Sequence, residues 1–314
     1  MNRVIKHIVI VLGFTAAIAA HAQQDPQYTQ YMYNMSSVNP AYATDNPGIM
    51  NVGGLYRTQW VGAVGAPRTI TAFLHAPVGK RLEAGFSLIS DQIGDVVNEN
   101  NFYADFSYSI PVGDRTKIAF GVKAGATFFD ANFNGFQYSD SQPDPAFAEN
   151  ISQVFPNVGV GTYFYSDRYY FGLSAPNLLR TKHLEKQNAI ATIGVEEIHY
   201  FFTGGYVFDL SDNLKFKPAF MARGVKGAPM AFDITSNFLI NERFELGVGY
   251  RFDDSVSGLA NFYITPSLRI GYAYDYTLTN LGNFNSGTHE IFLLFDLNLS
   301  GLSGKGFDKS PRFF

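Results

Sequence analysis

Hydrophobicity along this chain repeats with a period of two. From about residue 50 onward, apolar and aromatic residues alternate with polar or small ones, the pattern of a strand whose two faces meet different surroundings. In Ser267–Tyr276, Leu268, Ile270, Tyr272, Tyr274 and Tyr276 alternate with Arg269, Gly271, Ala273 and Asp275. Arg243–Asp253 sets Phe244, Leu246, Val248, Tyr250 and Phe252 against Glu245, Gly247, Gly249 and Arg251. About fourteen such segments are expected, at roughly 51–60, 67–76, 81–91, 99–110, 116–130, 156–165, 168–175, 196–209, 213–225, 229–240, 243–253, 256–265, 267–276 and 287–298. Their lengths suit tilted strands crossing a bilayer, which need about 9–11 residues. Strands of soluble sheets are usually nearer 5–6 residues.

The connections sort by parity. Links after even-numbered segments are short, as at Pro77–Lys80, Pro111–Arg115, Ser166-Asp167 and Asn241-Glu242, whereas the long links 131–155, 176–195 and 277–286 all follow odd-numbered ones. Outer-membrane barrels have short periplasmic turns and longer external loops. The expectation is an all-β, transmembrane antiparallel barrel of about 14 strands over 51–299, with both termini in the periplasm and a tail at 300–314. The alternation accounts for a composition that is 16% aromatic and contains 30 Gly, yet has a mean hydropathy of only -0.04. One face is greasy, the other polar or small, and the average is near zero.

Residues 1–22 read as a secretory signal peptide, with Arg3 and Lys6 before the apolar run Ile8–Ala20 and the small-x-small site Ala20-His21-Ala22. Cleavage after Ala22 removes two positive charges, taking the formal net charge from -4 to -6, which does not suit a nucleic-acid binder. The chain has no Cys. A disulfide scaffold, a thiolate metal site, a thiol nucleophile and an acylated-Cys anchor are thereby excluded.

Many lumen-facing positions of the expected wall are Gly: Gly85, Gly121, Gly125, Gly159, Gly161, Gly172, Gly247, Gly249 and Gly271. A barrel of this size is too wide for side chains alone to fill, and interior Gly marks kinks or close approach of another backbone. The candidate occupant is segment 23–50, polar but rich in Tyr, with Tyr28, Tyr31, Tyr33 and Tyr42. It is expected to fold back as a plug or periplasmic cap. Lumen-facing charges are mixed in sign: Arg57, Lys117, Lys123, Lys215, Lys217, Arg223, Arg251 and Arg269 against Glu83, Asp105, Asp233, Glu245, Asp275 and Glu290. Buried charges require partners, so an ion-pair lattice is expected, with an ion-selectivity ladder as the alternative.

Little else in the chain suggests chemistry. His75, His183, His199 and His289 do not form a metal-ligand spacing, and no G-x-S-x-G or Walker loop occurs. The acidic loop Ser139–Asn150, with Asp140, Asp144 and Glu149, lacks an EF-type order. No catalytic residue, cofactor site or metal site is expected.

Several motifs resemble one known family. The opening Asp25-Pro26-Gln27-Tyr28-Thr29-Gln30-Tyr31-Met32-Tyr33-Asn34, continued by Asn39-Pro40-Ala41-Tyr42, is similar to the start of the PorP/SprF family of type IX secretion membrane proteins. Arg57-Thr58-Gln59-Trp60, Ala175-Pro176-Asn177, Ser286-Gly287-Thr288-His289-Glu290 and the ending Pro311-Arg312-Phe313-Phe314 carry the likeness along the chain. Met35-Ser36-Ser37 departs from it, where a Pro- and Leu-containing stretch is expected. The resemblance implies a non-enzymatic outer-membrane component of a Bacteroidetes secretion system, tied in some species to gliding motility. It implies as partners the secretion ring and translocon proteins, a peptidoglycan-binding lipoprotein, secreted adhesins with a C-terminal (type B) signal domain, and outer-membrane lipid. The motif positions become candidate docking or structural residues. A passive porin or lipid-type channel is the rival reading.

Overall fold

A computed structural model of the chain describes residues 26–42, 48–134, 150–179, 181–182 and 195–299. The signal peptide, Asp25, most of the acidic loop at 139–150, His183 and the ending with Pro311, Arg312 and Phe314 lie outside those residues.

The alternating segments form strands β1 (Ile49–Thr58), β2 (Arg68–Pro77), β3 (Leu82–Ile93), β4 (Val97–Pro111), β5 (Thr116–Ala131), β6 (Ile151–Ser166) and β7 (Tyr169–Ala175). They continue as β8 (His199–Tyr206, resumed as Phe208–Ser211), β9 (Leu214–Val225), β10 (Ala231–Ile240), β11 (Phe244–Arg251), β12 (Ser255–Thr265), β13 (Leu268–Thr277) and β14 (Thr288–Asn298). Each pairs antiparallel with its neighbours in sequence, and β1 pairs with β14 from Ile49↔Asn298 to Thr58↔His289. The result is a closed barrel of 14 strands. Closure leaves no sheet edge, and so lets backbone polar groups cross hydrocarbon fully paired.

Two details differ from the sequence expectation. β6 begins at Ile151 rather than near 156, running through Pro156, which sits opposite Ala126 of β5. On its other side β6 pairs with β7 only over Val160–Tyr165. No wall strand among the described residues therefore meets Pro156 there, where its missing N–H would break a ladder. The long link after β7 also carries a two-residue pairing, Thr181–Lys182 with Val195–Glu196.

Burial alternates as the sequence does. In β2, Ile70 and Leu74 are exposed while Thr69, Thr71 and His75 are buried. The outward side chains form the lipid surface, and aromatic pairs mark its borders. At the short-turn end Tyr169, Tyr206, Phe208, Phe216 and Phe238 follow one another from β7 to β10. Near the long-loop end Phe220, Phe232 and Phe252 do the same. Two such girdles are how a barrel registers with the two faces of a membrane. The long connections 132–150, 176–198 and 278–287 leave one rim, and two- to four-residue turns leave the other.

Candidate functional site: a lumen filled by its own strap

Residues 26–42 lie inside the barrel. This strap has only two short helical turns, at Tyr31–Tyr33 and Met35–Val38. Most of its side chains are buried, and Gln30, Tyr31, Met32 and Asn34 are almost wholly so. A segment this irregular has few internal backbone hydrogen bonds, and buried backbone groups must find partners elsewhere. Here the wall provides them.

Near the long-loop rim, Glu290 of β14 accepts the backbone N–H of Thr29 at 3.0 Å and of Gln30 at 2.8 Å. The Thr29 hydroxyl donates to Asp275 of β13. Arg57 of β1 completes the cluster with ion pairs of 3.1 Å to Asp275 and 3.0 Å to Glu290, and donates to Thr29 Oγ1. Beside it the Tyr28 hydroxyl meets Thr71 Oγ1 at 2.7 Å. The strap then descends. At the short-turn end, Tyr33 donates to Glu245 of β11, accepts from Asn261 of β12, and stacks on Phe292 at 4.3 Å between ring centres. Burial first, then Glu245, holds the Tyr33 hydroxyl well above its ordinary pKa, so it stays a neutral donor. The Arg269 guanidinium lies over the same ring at 5.2 Å and over Tyr263 at 3.8 Å.

The strap next crosses the lumen to the opposite wall. Lys123 of β5 donates to Ser36 O at 2.9 Å, Ser174 of β7 to Val38 O at 2.7 Å and Ser107 of β4 to Ala41 O at 3.1 Å. Asn39 donates to Thr162 O of β6 at 2.9 Å and accepts Ala41 N–H. A Cβ on Gly121 would collide with the backbone of Pro40 and Ala41, and one on Gly161 with the Asn39 amide. These two lumen-facing glycines are the close approach that the sequence implied. Tyr42 packs against Tyr163 and His75, and at the short-turn rim the carbonyl of Gly48, just before β1, accepts Leu299 N–H.

An added methyl or larger group at Gly121 must therefore move the strap. Gly121→Val is expected to destabilise the folded barrel by about 1–3 kcal/mol, the usual cost of overpacking. Gly258→Ala, with nothing within 4 Å of the added Cβ, should leave it unchanged. Urea unfolding followed by the gel shift of folded barrel reads the difference.

The predicted lumen charges are mostly paired. Besides Arg57, Lys123 lies 3.7 Å from Asp105, and Arg251 is 2.8 Å from Asp233 and 3.3 Å from Asp254. Glu83 is buried, and Arg223 lines a lumen cavity beside the strap. The ion-pair lattice describes these geometries better than a selectivity ladder. Other family-motif positions gather at the long-loop rim. Val61 N–H donates to Gly287 O and Ser286 N–H to Val61 O, while Trp60, at φ 49°, donates its N–H to Thr288 Oγ1. Gln59 N–H closes the same link on Pro67 O. His289 points to the outer face, 2.7 Å from the Tyr272 hydroxyl, and Pro176 backs onto Gly159 as Asn177 turns toward the lumen cavity. Among the described residues no group of His, Asp and Glu has a metal-binding arrangement.

Ser107 and Ser174, which hold two of the strap's carbonyls, were not singled out from sequence. An inward Ser or Thr on a strand looks the same whether it faces water or a backbone carbonyl. Pro26–Thr29 sit in the half of the lumen bordered by the long loops, with Thr29 against residues near the long-loop ends of β1, β13 and β14.

A closed, girdled wall whose lumen holds its own amino-terminal segment defines an outer-membrane β-barrel. The chain is similar to several solved structures. A Pseudomonas aeruginosa FadL homologue is 12% identical, covering 89% of this chain and 96% of that one, with a TM-score of 0.48. The Pseudomonas putida toluene transporter TodX is 10% identical, with 84% and 92% covered and a TM-score of 0.48. Acinetobacter baumannii Omp33 is 9% identical, with 82% and 100% covered and a TM-score of 0.43. No curated protein matches the chain. The chain belongs to the family of type IX secretion system membrane proteins PorP/SprF, which matches residues 20–295. It is a type IX secretion component of the outer membrane.

Proposed function

We propose that this chain is a non-enzymatic docking barrel of type IX secretion, sealed by its own strap. Its signal peptide is removed after Ala22. Its rims hold secretion partners, and its lumen does not carry traffic. The observation that supports this reading is the strap's attachment, through hydrogen bonds from β1, β2, β4–β7 and β10–β14. A lumen crossed by a clasped polypeptide does not suit a general porin, whose channel is water-filled.

The short turns and the tail after residue 299 then face the secretion ring and a peptidoglycan-binding lipoprotein. The longer loops face exported proteins with a C-terminal (type B) signal domain, such as gliding adhesins. Deleting the gene should abolish surface display of at least one such protein and leave outer-membrane permeability to small solutes unchanged. Intact display of every C-terminal-signal protein in the deletion strain would refute the reading.

A further inference from the structure

On the outward side of the wall, at the long-loop rim, a pocket of about 440 Å3 opens between the β1–β2 link 59–67 and the ends of β1, β2 and β3. Thr58, Arg68 and Gln92 stand there on one rung of the ladder, and all three alternate outward, with Arg57, Thr69 and Asp91 turned into the lumen. Gln59 and Asp95 add to the polar lining, and Tyr56 supplies a ring one rung lower, opposite Ile70. We propose that this pocket binds the sugar headgroup of an outer-leaflet glycolipid. The inference goes beyond the docking reading and shares with it only the outward placing of the long loops.

The link that forms one side of the pocket is pinned. Trp60 and Val61 donate their N–H groups to Thr288 and Gly287 at the start of β14. Gly65 and Gly94, at φ 76° and 62°, bring the β1–β2 and β3–β4 links together, so that a Cβ on Gly65 would lie 3.9 Å from Gly94 Cα. The polar side chains are uncommitted: those of Thr58, Gln59, Arg68, Gln92 and Asp95 make no hydrogen bond or ion pair among the described residues. This set matches a sugar. The Gln59 and Gln92 amides both donate and accept, Asp95 accepts and Arg68 donates, which suits neighbouring hydroxyls. A phosphate on the sugar would meet the Arg68 guanidinium, and Tyr56 offers apolar area to the C–H face of the sugar ring. The volume falls within the about 300–1,000 Å3 of pockets that enclose small ligands. Placement selects a lipid-borne sugar over a free one. Below the rung, Ile70 and Leu74 of β2 and Leu88 of β3 are exposed on the same face, where acyl chains lie.

The chain has no Cys, so introduced thiols report cleanly. In intact cells, a Val64→Cys thiol, at a fully exposed position of the link, should react with a membrane-impermeant maleimide. The probe for binding is purified lipid A, an acylated glucosamine disaccharide phosphate, added to the full-length protein in detergent micelles. It should slow labelling of an Ala63→Cys thiol, inside the pocket, about tenfold at about ten times its Kd, where about one site in eleven is free. Adding Arg68→Ser or Gln92→Ala should weaken that protection about tenfold while the gel shift of folded barrel is kept. Arg168→Ser, at the opposite rim, should leave it unchanged. Phosphatidylethanolamine, which has no sugar, should not protect, and glucosamine 1-phosphate should protect only at far higher concentration. Equal protection by the phospholipid would overturn the sugar assignment, and equal protection by the free sugar phosphate would overturn the lipid one. If lipid A protects the Arg68→Ser and Gln92→Ala proteins as well as their parent, or protects none, the proposal falls and the docking reading stands. If the Val64→Cys thiol reacts only after the outer membrane is opened, the long loops face inward and both readings lose their outward surface.

Discussion

Replacing Arg57 by Met should destabilise the folded barrel by about 3–5 kcal/mol, the cost of leaving a buried charge without its partner. Arg57 is 3% exposed and is the cation that the described structure pairs with both Asp275 and Glu290. Without it, two buried carboxylates remain side by side. Both also hold Thr29, so the loss reaches the strap as well as the wall. The urea midpoint of the gel-shift transition reads the effect. The combination Arg57→Met, Asp275→Leu and Glu290→Gln should recover most of the loss. It removes the charges of the cluster and keeps one side-chain oxygen for one of the two N–H groups, of Thr29 or of Gln30. A triple variant as unstable as the single one would mean that the cluster stabilises by packing, not by charge.

Much of this fold can be read in the sequence, because lipid and lumen make opposite demands on successive residues. Leu268, Ile270 and Tyr272 must face outward if Arg269 and Asp275 face inward, and a slip of one residue would put every charge of β13 into lipid. The wall strands and their parity-sorted connections therefore appear in the order the sequence implies. The lumen glycines also gave notice of a second backbone, now seen at Gly121 and Gly161. The path of the strap was not legible. It is fixed by contacts between side chains and backbone atoms, and a backbone carbonyl carries no residue identity. Ser107 and Ser174 become clasps only because Ala41 and Val38 stop beside them. The place of the strap's amino end was not legible for the same reason. Its position depends on Thr29 and Gln30 offering N–H groups to Glu290, which any residue but Pro could do.

The strap carries the largest functional expectation. It occupies the lumen from the Arg57 cluster near one rim to Tyr33 and Tyr42 toward the other, and its hydrogen bonds come from most of the wall. A wall of this strand number leaves, once emptied, an interior that side chains do not close. The wall pairs strand to strand through its own ladders from β1 to β14, so removing the strap takes away the filling and leaves the closure. Lumen residues such as Glu245, Glu290 and Lys123 would then face water, which solvates charge well. The emptied barrel should therefore stay closed and folded while becoming conductive.

The most direct test is single-channel conductance in planar bilayers, comparing the intact protein with one lacking residues 23–42. The intact barrel should be nearly silent, and the deletion should open discrete steps at least about tenfold larger, as expected for a water-filled lumen of this width. Equal, large conductance from both proteins would contradict the account, because the strap would then not seal the lumen it crosses.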